Sequence, residues 1–138
     1  MTIRNLRIED YEAIYALWSC TPGMGLNAVD DSLEGFSRYV RRNPTTCFVA
    51  EEGNGIIGVI LAGHDGRRGL IHHAAVAESE QRKGIGEALL HAALAALKRE
   101  DIHKVLLVVF DQNEKGNAFW EKHGFTKRGD LVYRNRAI

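Results

Sequence analysis

The sequence has no net charge, no long apolar run and few cysteines or prolines. Lysine plus arginine equals aspartate plus glutamate at 18 each, so there is no general positive field for nucleic acid or an anionic membrane. Any anion site must therefore be built locally. No apolar run is long enough to span a bilayer, and residues 1–4 lack the apolar core of a signal peptide. We expect a soluble cytoplasmic protein with neither a nucleic-acid nor a membrane partner.

The two cysteines, Cys20 and Cys47, match no metal-binding spacing. We expect both to be small core residues in a reducing compartment, and we expect no metal. The two prolines, Pro22 and Pro44, fall between segments with periodic hydrophobicity. Repeats, low-complexity stretches and linkers are absent from the sequence, and its length suits one domain. We therefore expect a single domain over residues 1–138.

Hydrophobic periodicity predicts strands and helices in the order β-α-α-β-β-β-α-β-α-β-β. The predicted strands are residues 3–8, 47–51, 56–62, 70–76, 105–110, 125–128 and 131–134. The first predicted helix follows the candidate cap Asp10, and the second follows a cap that could be Asp30, Asp31 or Ser32. Two more helices are predicted over residues 84–99 and 117–122. The fold class is α/β (α+β), with about four helices and a mixed sheet of about seven strands that combines hairpins with one parallel crossover.

A glycine-containing loop joins the fourth predicted strand to the longest predicted helix. A diphosphate needs several N–H donors that converge on a small volume, and the first turn of a helix offers unpaired N–H groups and a partial positive charge. Glycine allows close approach of the backbone. The loop consists of Gln81, Arg82, Lys83, Gly84, Ile85 and Gly86. Taken alone, a tight turn with solvated basic side chains explains these residues equally well.

Two other phosphate-binding motifs do not match this loop. A P-loop needs Gly-Lys-Ser/Thr, whereas Gly86 is followed by Glu87 and Ala88. A dinucleotide fingerprint needs a third small residue where Leu89 stands, and it follows its strand directly, whereas residues 77–80 intervene here. A nucleotide-binding regulator that prefers ATP or NAD is therefore disfavoured.

Residues 75–86, AVAESEQRKGIG, resemble the central motif of the GNAT N-acetyltransferase superfamily. Asn113, with residues 108–110 (VVF) and 118–125 (AFWEKHGF), resembles its second motif. The resemblance covers about residues 47–125 and is greatest to small bacterial stand-alone members. It implies a mostly antiparallel acyl-CoA N-acyltransferase fold and direct transfer of an acetyl group from acetyl-CoA to a primary amine. The acceptor would be a small molecule or a protein amine, and the enzyme a monomer or homodimer.

The resemblance also implies contacts with the cofactor. The pantetheine arm would run between two splayed parallel strands and bond to the backbone at Ala74, Ala75 and Val76, while the glycine loop binds the diphosphate. An N–H near Ala74 would polarise the thioester carbonyl, and such a donor is worth roughly 3–4 kcal/mol of the barrier. Tight sheet packing is an alternative explanation of the two small alanines. Asn113 would bond the pantetheine arm, cap the following helix, or do both.

Candidates for proton transfer follow from the same resemblance. His72 and His73 are adjacent on a strand, so we expect them to point to opposite faces and not to share a metal. His72 holds the position of a base in some family members, and Glu51 is a second candidate. Trp120 stands where many relatives have a tyrosine that protonates the leaving thiolate, and we interpret it as packing on the core and the cofactor. The thiolate would leave unassisted, or water or Tyr133 would donate.

Acceptor specificity is expected to come from residues 21–31, between the first two helices. There Asp30 and Asp31 could attract an ammonium group, although capping a helix is the commoner role of aspartate. Residues 64–68 could contact the acceptor or coenzyme A, or could form a charged hairpin tip. Trp120 in place of tyrosine keeps a second function open, a catalytically silent acyl-CoA-binding sensor module.

Overall fold

The computed structural model describes all residues, 1–138. The chain divides into two compact units, Met1–Val108 and Val109–Ile138. The first unit contains, in chain order, β1 (Thr2–Asn5), α1 (Tyr11–Ser19), α2 (Leu33–Arg42), β2 (Phe48–Glu52), β3 (Gly55–His64), β4 (Gly69–Val76), α3 (Ile85–Arg99) and β5 (Val105–Leu107). The second unit contains α4 (Glu114–Lys122). No helix is both long enough and apolar enough to cross a membrane.

The five strands form one sheet in sequence order, β1-β2-β3-β4-β5. The first four strands are antiparallel to their neighbours, whereas β5 runs parallel to β4. Parallel neighbours need a crossover connection, and α3 lies in the connection between β4 and β5. The predicted α/β (α+β) class, with a mixed, mostly antiparallel sheet and four helices, is therefore confirmed.

The predicted count of about seven strands is wrong, because residues 125–128 and 131–134 form no strand. Alternating hydrophobicity specifies only which side chains share a face, whereas a strand also needs a neighbouring backbone with which to pair. Leu131, Val132 and Tyr133 are 64%, 75% and 69% exposed, so these alternating side chains do not form a buried face.

Helices cover both faces of the sheet within the first unit. Val59 of β3 belongs to the core cluster that contains Trp18 of α1 and Phe36 of α2. A Cβ on the preceding residue, Gly58, would lie 2.9 Å from Leu89 of α3. Because successive strand residues point to opposite faces, α1 and α2 pack on one face and α3 packs on the other. Glycine at position 58 leaves room for α3 to approach the sheet closely.

A side-chain cap marks the start of α2. Ser32 is the cap of α2 among the three candidates, because its Oγ accepts a hydrogen bond from the amide of Gly35 at 3.1 Å. Leu33, the first residue of α2, is 50% exposed, because the buried face of this helix consists of Gly35, Phe36, Ser37 and Val40.

The two cysteines differ in their surroundings. Cys47 is buried as predicted, and burial raises the pKa of its thiol to about 12. Cys20 is exposed, contrary to the prediction, because it follows the last turn of α1 as the C-cap residue.

Candidate functional site

The loop between β4 and α3 presents a run of backbone N–H groups that have no acceptor within the protein. The amide of Gln81 bonds to the carbonyl of Glu78 at 3.3 Å, and the next amide that donates is that of Ala88, to Gly84 at 3.0 Å. The N–H groups of residues 82–87 are therefore unpaired at the start of a helix of 15 residues. The helix dipole adds partial positive charge at the same place.

Two left-handed residues shape this loop. Arg82 has a φ of 65° and Gly84 a φ of 81°. Backbones that mix left-handed and right-handed residues turn successive N–H groups toward one side and form a concave anion site. A Cβ on Gly84 would meet nothing within 4 Å, so the space beside this residue is open. The loop thus has the geometry that an anionic group requires.

Two side chains of the loop form hydrogen bonds within the protein, and one basic side chain stays unpaired. The Gln81 side chain donates to the carbonyl of Val76 at 3.2 Å, which ties the loop to the end of β4. Lys83 lies 2.9 Å from a carboxylate oxygen of Glu80, and this bond raises the pKa of Lys83. Arg82 is exposed and forms no ion pair. Of the two basic residues, only Arg82 retains an unpaired charge.

The strand β4 continues beyond the end of β5. Pairing between the two strands ends at Ile71 and Leu107, whereas β4 pairs with β3 as far as Val76. The other edge of residues 72–76 therefore has no strand partner, and this is the kind of edge to which an extended ligand can add. Within this stretch Ala75 is buried in the core cluster, so sheet packing accounts for its side chain. Ala74 is half-buried.

A β-bulge lies at His72. The β3 residues Leu61 and Ala62 pair with His73 and Ile71, so His72 is an extra residue without a partner on β3. A bulge changes the direction of a side chain and is common beside active sites.

The bulge places both histidine rings on the side of α1 and α2. The ring of His72 packs edge-on against Tyr39 of α2, with centroids 5.3 Å apart, and the ring of His73 packs against Trp18 of α1 at 4.9 Å. The expectation that the two histidines point to opposite faces is therefore wrong, because the extra residue interrupts the alternation. No group of three or more His, Cys, Asp or Glu side chains is arranged to hold a metal ion.

The imidazole of His72 has a pKa below its ordinary value of 6.5. Desolvation by neighbouring atoms is the largest cause, although the side chain keeps contact with solvent, and the adjacent His73 lowers the pKa further. Asp31 and Asp30 act in the opposite direction. The neutral imidazole therefore predominates at pH 7, and in this form it can accept a proton.

His73 anchors the segment between α1 and α2. Its Nε2 lies 2.9 Å from Oδ1 of Asp31, and the two side chains are only 13% and 9% exposed. The other carboxylate oxygen of Asp31 accepts the amide of Asn27 at 2.7 Å, and the carbonyl of Asp31 accepts the hydroxyl of Tyr11 at 2.7 Å. Asp31 is therefore neither the cap of α2 nor a free carboxylate for an ammonium group.

The second candidate base is engaged elsewhere. Oε2 of Glu51 lies 3.0 Å from a guanidinium nitrogen of Arg4, which also binds Asp10 at 2.9 Å. The carboxylate of Glu51 thus belongs to an ion-pair network at the edge formed by β1 and β2, and His72 is the better placed of the two candidates. Tyr133, the suggested donor, is exposed, and its hydroxyl accepts a hydrogen bond from the side-chain amide of Asn135 at 3.3 Å.

A cavity of about 350 Å³ lies beside His72. Tyr39 and Arg42 from the end of α2 contribute to its wall, as does Arg68 from the β3–β4 connection. The hydroxyl of Tyr39 is buried without a hydrogen-bond partner, and burial raises the pKa of this phenol, which stays neutral. The sequence did not identify Tyr39 or Arg42 as site residues. Their separation of three residues on one helix was the only signal that they share a face.

In the second unit, Asn113 caps α4. Its Oδ1 accepts the amide of Gly116 at 2.9 Å, and α4 begins three residues before the predicted start. The side-chain amide nitrogen of Asn113 donates no hydrogen bond within the protein. Trp120 packs edge-on against Phe119 and Phe125, with centroids 4.9 and 5.3 Å apart. Contacts of Asn113 and Trp120 with a cofactor stay predictions.

Comparison with known proteins identifies relatives that cover most of the chain. An acetyltransferase of Pectobacterium atrosepticum is 29% identical over 123 residues, which cover 88% of this chain and 85% of the relative. The structure of Ard1 from Thermoplasma volcanium superposes with a TM-score of 0.81 at 24% identity, covering 91% of this chain and 82% of that one. PaiA N-acetyltransferase from Thermoplasma acidophilum, in complex with coenzyme A, has a TM-score of 0.77 at 24% identity, covering 91% and 89%.

These two structures share the fold of this chain. The model of the Acetyltransferase (GNAT) family matches residues 11–125, which is most of the sequence and includes both motifs on which the resemblance was based. The chain therefore belongs to the acetyltransferase (GNAT) family.

Proposed function

We propose that the protein transfers the acetyl group of acetyl-CoA to a primary amine by direct attack on the thioester. The observation that carries the proposal is the run of unpaired N–H groups at residues 82–87, at the start of α3. Such a run, with the helix dipole and the free charge of Arg82, suits the diphosphate of coenzyme A. Membership of the family supports acyl transfer, and the related PaiA enzyme is known in complex with coenzyme A.

The pantetheine arm would add to the edge of β4 that has no strand partner. It would extend from the diphosphate loop past Val76 toward Ala74, bonding to the backbone as a short strand does. An N–H near Ala74 would then face the thioester carbonyl. Attack by an amine places negative charge on that oxygen, and one such donor lowers the barrier by roughly 3–4 kcal/mol.

His72 would act as the general base beside this thioester. A lysine-like amine has a pKa of about 10.4, so its deprotonation at pH 7 costs roughly 4–5 kcal/mol. The amine nitrogen forms a bond with the carbonyl carbon, the carbon–sulfur bond breaks, and the sulfur leaves as the thiolate of coenzyme A. His72 receives the proton of the amine, directly or through water. A thiol with a pKa of about 8.5 is an adequate leaving group without a tyrosine donor.

Release of free thiol from acetyl-CoA in the presence of a panel of primary amines tests this proposal. We expect release above the hydrolysis background for at least one amine, with the acetylated amine detected by mass spectrometry. Tight binding of coenzyme A without turnover of any amine would instead support the sensor module. Absence of coenzyme A binding in calorimetry would remove both functions.

A further inference from the structure

The cavity beside His72 has a positively charged wall. Its volume of about 350 Å³ lies within the range of small-molecule sites. Arg42 and Arg68 both contribute to the wall, and neither guanidinium forms an ion pair. The only hydrogen bond of the Arg68 guanidinium is a long one of 3.5 Å to the carbonyl of Arg67. Two cationic groups therefore border the same cavity without a carboxylate bound to either.

The acidic groups near these arginines are engaged with other partners. Oδ1 of Asp65 accepts the amides of Arg67 and Arg68 at 2.7 and 2.8 Å, and these bonds hold the pKa of Asp65 below its usual range. Asp65 is thus charged but serves the hairpin turn, so two arginines and one aspartate leave the wall with one net positive charge.

Glu100 is not part of the wall but contacts His64, which is. Its two carboxylate oxygens meet Nε2 of His64 at 3.5 Å and the hydroxyl of Thr45 at 2.9 Å. The carboxylate of Glu100 is therefore bound to neither arginine, and it leaves both guanidinium groups available to an anion.

We infer that this cavity binds the acceptor, and that Arg42 and Arg68 recognise a carboxylate on a small amine. The inference rests on the proposed function, because His72 would mark the end of the cavity at which the amine is acetylated. A guanidinium presents donors in a planar fork that matches a carboxylate. The acceptor class is thus a primary amine that carries a carboxylate at its far end.

The length of the cavity and the apolar residues at its centre further define the class of acceptor. Gly69 and His72 both border it along β4, and three strand residues span roughly 10 Å. Between these ends lie Leu70 and its paired neighbour on β5, Leu106, which present apolar surface. An extended acceptor with a methylene chain between amine and carboxylate, of the size of 6-aminohexanoate, fits this pattern.

The experiment compares acetylation of 6-aminohexanoate with that of hexylamine, which has the same chain length but no carboxylate. We expect kcat/KM of the wild-type protein to be at least tenfold higher for 6-aminohexanoate. Arg42→Gln and Arg68→Gln should each reduce this ratio several-fold, mainly through KM, and the double variant should bring it close to one. Arg41→Gln and Arg67→Gln are matched controls, because these neighbouring arginines do not border the cavity, and they should keep the wild-type ratio.

The result that overturns the inference differs from the result that overturns the proposed function. Equal use of both amines, unaffected by Arg42→Gln and Arg68→Gln, would refute the carboxylate site and leave acetyl transfer intact. If no amine released thiol, the carboxylate site could still be tested by titrating 6-aminohexanoate into the protein in the presence of coenzyme A. Binding that the double variant weakens at least tenfold would support the site. Absence of binding would refute it. All variants should keep their stabilisation by coenzyme A.

Discussion

Replacement of Gly84 by alanine tests the diphosphate site directly, because this residue combines a left-handed backbone with open space. Gly84 has a φ of 81°, and a Cβ there would meet nothing within 4 Å. Without ligand, the variant should therefore lose only the cost of a left-handed alanine, about 1–2 kcal/mol. For a chain of 138 residues, this lowers Tm by roughly 3–8 °C.

The expected effect on ligand binding is separate from this loss of stability. Coenzyme A at 100 times its Kd stabilises the wild-type protein by about 2.7 kcal/mol. The methyl group of alanine would stand beside the unpaired amides and separate the diphosphate from one or two of them. A hydrogen bond to a charged group is worth about 1.5–3 kcal/mol, so Kd should rise roughly 10- to 100-fold. At the same ligand concentration, the stabilisation should fall to about 0.4–1.4 kcal/mol.

Thermal unfolding with and without coenzyme A measures both effects. Gly66→Ala is the matched control, since Gly66 has a φ of 88°, meets nothing within 4 Å, and lies before the opposite end of β4. The control should show a similar loss without ligand and the full gain with it. If Gly84→Ala also kept the full gain, the amides at the start of α3 would not bind the diphosphate.

Three further substitutions test individual side chains. His72→Asn should slow kcat by about 10²–10⁴-fold without changing stabilisation by coenzyme A. In the wild-type protein kcat/KM should fall only below pH 6.5, where His72 gains a proton, and persistence of that decline in the variant would exclude this base. Asn113→Asp keeps a capping oxygen but removes the amide donor, so the free energy of unfolding should change by less than about 0.5 kcal/mol while the affinity for coenzyme A falls. Unchanged affinity would show that Asn113 serves only as a helix cap. His73→Ala leaves the carboxylate of Asp31 without its side-chain partner, and urea unfolding should show a loss of about 1.5–3 kcal/mol, which a loss near zero would contradict.

The elements that local pattern predicted well are those whose signal lies within a few neighbouring residues. Ile85, Leu89, Ala93 and Leu97 are spaced as on one face of a helix, and all four are buried on α3. The glycine loop before this stripe lies where it was predicted, and its N–H groups are unpaired, but binding of an anion there stays a prediction. Periodicity also predicted the order of elements as far as α4. It failed for residues 125–134, where alternation was present but a partner strand was not.

Only part of the candidate site could be predicted from local sequence patterns. The family resemblance suggested His72 as the base, but the bulge that directs its ring toward Tyr39 depends on the register between β3 and β4. No spacing rule connects Arg42 with Arg68, because they come from a helix end and from a hairpin. The cavity between them exists only once these two elements have packed together.

The sequence by itself determined the class of fold, the long amphipathic helix, the loop at its start and the family, since each of these is encoded in contiguous residues. Only the tertiary structure decided the number of strands, the shared direction of the two histidines, and the pairing of His73 with Asp31 across 42 positions of sequence. The physical reason is that backbone pairing, strand register and contacts between buried polar side chains join groups that are distant along the chain. Their partners are selected by packing of the whole core, which no local pattern records.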